Sequence, residues 1–239
     1  LSFYESETVF KMSLANQDGD IGGLRISESE PHDKTRLLVV ANRLPITFKV
    51  NEDDPKEIVA TQSSGGLVSA LKALGDSFEE TWIGWPGMSV ETDDTEKQLK
   101  MKAALPEGFL PVFLSEQEVE HFYVGYSNSS LWPLLHNMIP YARFNREWYD
   151  VYERVNQRFA DDVLANANDG DLVWIHDYHL FLVPRMIKER RPNLKVAFFL
   201  HTPWPSYEIF RVLPDIGKLV FGLVAADLIG FHTYNYLRH

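Results

Sequence analysis

The chain has 239 residues, 45% of them hydrophobic, no cysteine and a formal net charge of -11. Missing cysteines exclude a disulfide framework and thiolate chemistry, and the acidity excludes a surface built for nucleic acid or anionic lipid. No apolar run approaches the roughly 18 residues a membrane span needs, so a cytoplasmic enzyme without membrane or nucleic-acid partners is expected.

Residues 1–35 are polar and acidic without periodicity and are expected to form a flexible tail; residues 36–239 are expected to form the folded domain. That domain opens with Leu37-Leu38-Val39-Val40-Ala41, an apolar run of the kind that makes a buried parallel strand. Residues 44–60, with Pro45, Pro55 and the acidic 52–54 stretch, predict a long excursion or hairpin. Ser63-Ser64-Gly65-Gly66 then leads into a helical pattern, where a glycine turn presents backbone N–H groups to an anion.

Further strands are expected over 81–83, 111–114, 172–175, 196–200 and 228–231. Between them, Trp148, Val151, Tyr152, Val155, Phe159 and Val163 form the stripe of an amphipathic helix. Leu180, Val183, Met186 and Ile187 repeat that stripe until Arg191-Pro192 breaks it. Trp85, Tyr123, Tyr126 and Trp132 stand in loop-like sequence rich in Gly, Asn, Ser and Pro, whereas Trp82 fits a core strand. After Phe231 a new helix is expected, with Thr233 as its N-cap, and the chain reads as truncated within it.

Strands alternating with helices predict an α/β fold with a mainly parallel, Rossmann-like sheet and helices on both faces. In such sheets ligands bind over the carboxyl ends of the strands. Asn42-Arg43, His176-Asp177-Tyr178-His179, His201-Thr202-Pro203 and His232 each follow a predicted strand, so polar chemistry collects at one rim. Local signals also allow Asp177 to be a helix N-cap and His176 and His179 to be structural histidines with satisfied nitrogens. His-x-x-His is not a zincin spacing, and no metal is expected. The glycine fingerprint of a dinucleotide-dependent oxidoreductase is absent after the first strand.

In order along the chain, Val39-Val40-Ala41-Asn42-Arg43-Leu44-Pro45, Ser64-Gly65-Gly66-Leu67, Trp82-Ile83-Gly84-Trp85-Pro86-Gly87, Tyr126-Ser127-Asn128-Ser129-Ser130-Leu131-Trp132-Pro133, Trp174-Ile175-His176-Asp177-Tyr178-His179-Leu180 and Phe198-Phe199-Leu200-His201-Thr202-Pro203 resemble the N-terminal half of the trehalose-6-phosphate synthase family. Trp204 stands where many relatives carry Phe. The resemblance implies the N-terminal, acceptor-binding half of a GT-B fold that transfers glucose from UDP-glucose to glucose 6-phosphate with retention. UDP-glucose is then a co-substrate, and no cofactor is expected. It implies Arg43 on the acceptor phosphate; Trp85, Tyr123, Trp132 and Asp177 around the acceptor; Gly66 and His201 on the donor; and Asp177 and His201 as the catalytic pair. It further implies a C-terminal GT-B domain as the missing partner, without which this half is expected to be inactive. Subunits of a trehalose synthesis complex are possible partners in the family, which also contains non-catalytic, synthase-like regulatory or subunit-binding domains.

Overall fold

The computed structural model describes residues 35–50, 58–62 and 78–239. The expected tail before Thr35 and the glycine turn containing Gly66 lie outside the described residues.

The core is a six-stranded sheet in the order β5-β4-β1-β6-β7-β8, parallel at every pairing. Its strands are β1 (Thr35–Arg43), β4 (Phe78–Trp85), β5 (Phe109–Pro111), β6 (Leu172–His176), β7 (Lys195–Leu200) and β8 (Leu228–Phe231). A separate antiparallel hairpin joins β2 (Ile46–Val50) to β3 (Ile58–Gln62) and accounts for the excursion after Pro45. The sheet grows outward from β1 in one direction through β4 and β5, and then in the other from β6. Its order therefore reverses between β1 and β6, where diverging loops open a ligand crevice.

Both faces of β1 are buried, which is why its sequence is apolar throughout rather than alternating. Leu38 and Val40 pack with α2 (Arg146–Asn166), α3 (Val183–Arg190) and α4 (Ile216–Leu223). Leu37 and Val39 point the other way, with Trp82, towards Ile46, Phe48 and Ala60 of the hairpin and Leu105, which follows α1 (Thr95–Ala104). Among the described residues no helix is long and apolar enough to cross a membrane.

Two expectations need correction. The strand expected at 111–114 is Phe109–Pro111. Phe109 stacks on Trp82 with ring centroids 6.3 Å apart, and beyond Pro111 the Val112 amide still donates to the Gly84 carbonyl of β4 at 2.8 Å, so the pairing is centred earlier than expected. Tyr123 and Tyr126 are not in a loop: Val119–Leu131 is π-helical and runs on into Trp132–Leu135. Gly125, Asn128 and Ser129 suggest a break, but the Ser129 hydroxyl donates to the Val124 carbonyl at 2.8 Å and reinforces the wider turn. Ser115 and Glu118 form a capping box where this helical run begins, and Arg158 forks onto Glu118 at 2.6 and 2.8 Å, tying it to α2.

Candidate active site

Arg43 closes β1. A register shift between Val40 and Arg43 sets it opposite Trp85 at the carboxyl end of β4. Its guanidinium carbon lies 6.0 Å from the Trp85 ring centre and against the bare backbone of Gly87. A Cβ built on Gly87 would fall 2.6 Å from Arg43 Nε, and Gly87 holds a φ of +84°. Glycine is therefore required twice over, for conformation and for space. Arg43 is exposed and, among the described residues, its guanidinium makes no hydrogen bond or ion pair. Among the described residues, the contacts that orient this cation are Trp85 and the Gly87 backbone.

A run of ring contacts leads away from it. Trp85, buried and anchored by its indole N–H on the Met88 carbonyl at 3.1 Å, lies 6.1 Å from Tyr123. Tyr123 stacks on His179 at 5.7 Å and 12°, His179 lies 4.0 Å from Tyr178, and Tyr178 5.7 Å from Trp132. Trp132 carries the His136 ring 3.9 Å from its own and remains 42% exposed. Trp85, Tyr123 and Trp132 thus belong to one aromatic wall that Tyr178 and His179 complete. Tyr126 does not: it is buried on the core side against Tyr149 and Tyr152.

Asp177 follows β6. It stands at the N-cap position of the 3-10 turn Tyr178–Leu180, as local signals allowed, without a side-chain capping bond; its backbone holds φ +72° and ψ 168°, a region that side-chain-bearing residues avoid. Its amide donates to the Phe199 carbonyl at 2.8 Å, and its Oδ1 accepts from the His201 amide at 3.3 Å, which joins the ends of β6 and β7. Burial pushes its carboxyl up to about 6, against the pull of the Tyr178 and His201 amides and the His136 ring. The loop behind it is clamped by α2. Tyr152 donates to the Tyr178 carbonyl and accepts from the Phe181 amide, while Asn156 donates to the His179 carbonyl and accepts from the Leu182 amide.

His201 stands at the end of β7, at the rim. Its Nε2 lies 3.0 Å from Nδ1 of the buried His176. Although its side chain reaches solvent, lost hydration and the neighbouring His232 hold its imidazole well below the ordinary range, at about 4. Burial holds His176 and His179 lower still, at about 3, with the His201 ring adding to the effect on His176. All three rings are neutral at physiological pH. The expectation that His176 and His179 have satisfied nitrogens fails: both nitrogens of His179, and Nε2 of His176, are buried without a partner among the described residues. Aromatic packing on His179 replaces the hydrogen bonds, with Phe122, Tyr123 and Tyr178 around it. Among the described residues no three His, Asp or Glu side chains converge as a metal cradle.

The structure thus gathers Arg43, Trp85, Tyr123, Trp132, Asp177 and His201 at one rim, while Gly66 is outside the described residues. Such a rim offers a cation for an anionic group, aromatic faces for sugar C–H surfaces, a carboxylate for hydroxyls and a neutral imidazole. Sequence reasoning missed Gly87 as the seat of Arg43, and Tyr152 and Asn156 as the clamp; Asn156, a polar residue next to the apolar stripe of α2, was the available signal. Gly87→Ala is expected to fold with reduced stability and to displace Arg43, weakening the binding of a phosphorylated ligand more than that of a neutral sugar. Titrating one mutant with both ligands checks this.

A doubly wound parallel α/β sheet with its polar rim at the carboxyl strand ends defines the class of ligand-binding α/β domains. Residues 35–239 match the model of glycosyltransferase family 20, and the chain is a member of that family. It is 43% identical over 216 residues to the alpha,alpha-trehalose-phosphate synthase (UDP-forming) of Emericella nidulans, covering 89% of this chain and 42% of that protein. The solved E. coli structure bound with UDP-2-fluoro glucose is similar, with a TM-score of 0.69 and 33% identity over 85% of this chain and 41% of the other. A Burkholderia xenovorans alpha,alpha-trehalose-phosphate synthase (UDP-forming) in complex with glucose-6-phosphate gives 0.68 and 25%, over 85% and 41%. The chain spans about two fifths of the length of these relatives.

Proposed function

We propose that this domain is the acceptor-binding wall of a cytoplasmic, UDP-forming trehalose-6-phosphate synthase, which transfers glucose from UDP-glucose to glucose 6-phosphate with retention and without a metal. The observation that carries the reading is Arg43, without a hydrogen bond or ion pair among the described residues, at the head of an aromatic wall that ends near the half-buried Asp177 carboxylate. A planar guanidinium free of carboxylates suits a phosphate dianion through paired charge-assisted hydrogen bonds. Trp85, Tyr123 and Trp132 face the acceptor ring, and Asp177 accepts from its hydroxyls.

Glycosyl transfer builds positive charge on the donor sugar, where a neutral imidazole is tolerated and a cation is not. His201, held neutral by its surroundings, meets that requirement. Gly66 approaches the donor phosphates in this reading, and a second domain supplies the cations that a chain of net charge -11 lacks. A cleft enzyme needs both walls to position its donor and exclude water. The 239-residue chain is therefore expected to release no UDP from UDP-glucose and glucose 6-phosphate, whereas a protein extended by the second domain of a family member releases it and forms an α,α-linked product. UDP release by the chain alone, or an inverted product from the extended protein, contradicts the proposal.

A further inference from the structure

His176 and His201 are joined by a single N···N contact of 3.0 Å between His176 Nδ1 and His201 Nε2. Two neutral imidazoles in this arrangement share one hydrogen, and either ring can own it. In one arrangement His201 Nε2–H donates to His176. His176 then carries its own hydrogen on Nε2, an atom that is buried without a partner among the described residues. In the other, His176 Nδ1–H donates to His201, and only a lone pair is left at that buried nitrogen. A buried N–H left without an acceptor is rarer than an under-satisfied acceptor. The second arrangement wins.

We propose that His176 is a positioning residue that locks His201 in its Nδ1–H tautomer, so that the rim imidazole presents a fixed N–H donor to a ligand oxygen. His201 Nε2, its one lone-pair nitrogen, is engaged by His176, so His201 is unable to serve as a general base towards that ligand. His176 itself keeps a fixed ring: it is 2% exposed, lies 4.7 Å from the Trp174 ring, and is carried by the last position of β6, paired with Phe199 of β7. The identity of the ligand oxygen as a hydroxyl of the transferred glucose rests on the function proposed above. The tautomer does not, because the ligand-free chain already fixes it.

The test is two-bond ¹H–¹⁵N correlation of the histidine rings in the ligand-free chain at pH 7, with the His201 signals assigned by their loss in His201→Gln. The expected spectrum has a protonated Nδ1 and a lone-pair Nε2 on His201, the reverse of the form that free histidine favours. His176→Asn places an amide N–H near the lost Nδ1 and is expected to retain that pattern. His176→Leu is expected to return His201 to the Nε2–H form. A wild-type His201 in the Nε2–H form, or averaging between forms, overturns the proposal even where no variant folds. An unchanged His201 pattern in folded His176→Leu overturns the role of His176.

Discussion

Replacing Arg43 by Ala in the protein that carries both domains is expected to lower kcat/KM for glucose 6-phosphate by about thirty- to thousand-fold. The loss corresponds to roughly 2–4 kcal/mol for a charge-assisted contact made in a partly desolvated cleft. Thermal stability should hardly change, because Arg43 is exposed and ties down no carboxylate among the described residues. Arg43→Lys should recover only part of the loss, since an ammonium cannot reproduce the planar fork or its stacking on Trp85. A structural arginine would give the opposite pattern, a lowered melting temperature with acceptor kinetics preserved. Measuring both quantities on the same mutant separates the two roles.

Asp177 is expected to oppose the fold it belongs to. Its carboxyl titrates near 6 in the folded chain against an ordinary value of 3.8. A raised acid is harmless below the unfolded value, where it is protonated in both states, and costs stability as pH rises through the folded value. The shift is worth about 3 kcal/mol at neutral pH, reduced to about 2 by its partial exposure. Asp177→Asn should therefore raise the melting temperature at pH 7.5 by about 4–8 °C. The difference from wild type should shrink between pH 6 and pH 4. Asp177→Gly should gain about a further 1 kcal/mol by relieving the backbone at φ +72°. Both variants should lose acceptor affinity. A destabilised Asp177→Asn, or a gain that does not change with pH, would contradict this account of the carboxyl.

What was legible in the sequence follows from how parallel sheets are built. Strands buried on both faces appear as short apolar runs, and the polar residues just after them must lie at the carboxyl rim. Arg43, Asp177 and His201 were therefore placed correctly from the runs ending at Ala41, Ile175 and Leu200. The stripe of α2 was equally plain, whereas residues 44–60 left an excursion and a hairpin both open until strands 46–50 and 58–62 paired. The π-helical segment was not, because Gly125, Asn128 and Ser129 are loop-formers by propensity and only tertiary contacts decide otherwise. Gly125 lies so close to Trp148 that a Cβ would fall 2.8 Å from the ring, a contact no local rule anticipates. Likewise nothing local reveals that Gly87 seats Arg43, that Tyr152 and Asn156 hold the loop after Asp177, or that His176 meets His201. Each joins residues distant in the chain. The aromatic residues illustrate both outcomes: Trp85, Tyr123 and Trp132 share a wall, whereas Tyr126, close by in sequence, belongs to the core.

The central claim is that this domain holds the phosphorylated acceptor rather than the nucleotide. Calorimetric titration of the 239-residue chain with glucose 6-phosphate, glucose and UDP at two salt concentrations tests it most directly. The account predicts weak binding of glucose 6-phosphate that falls as salt rises and disappears in Arg43→Ala, with glucose and UDP weaker still. UDP binding more tightly than glucose 6-phosphate, or phosphosugar binding that survives Arg43→Ala unchanged, would contradict it.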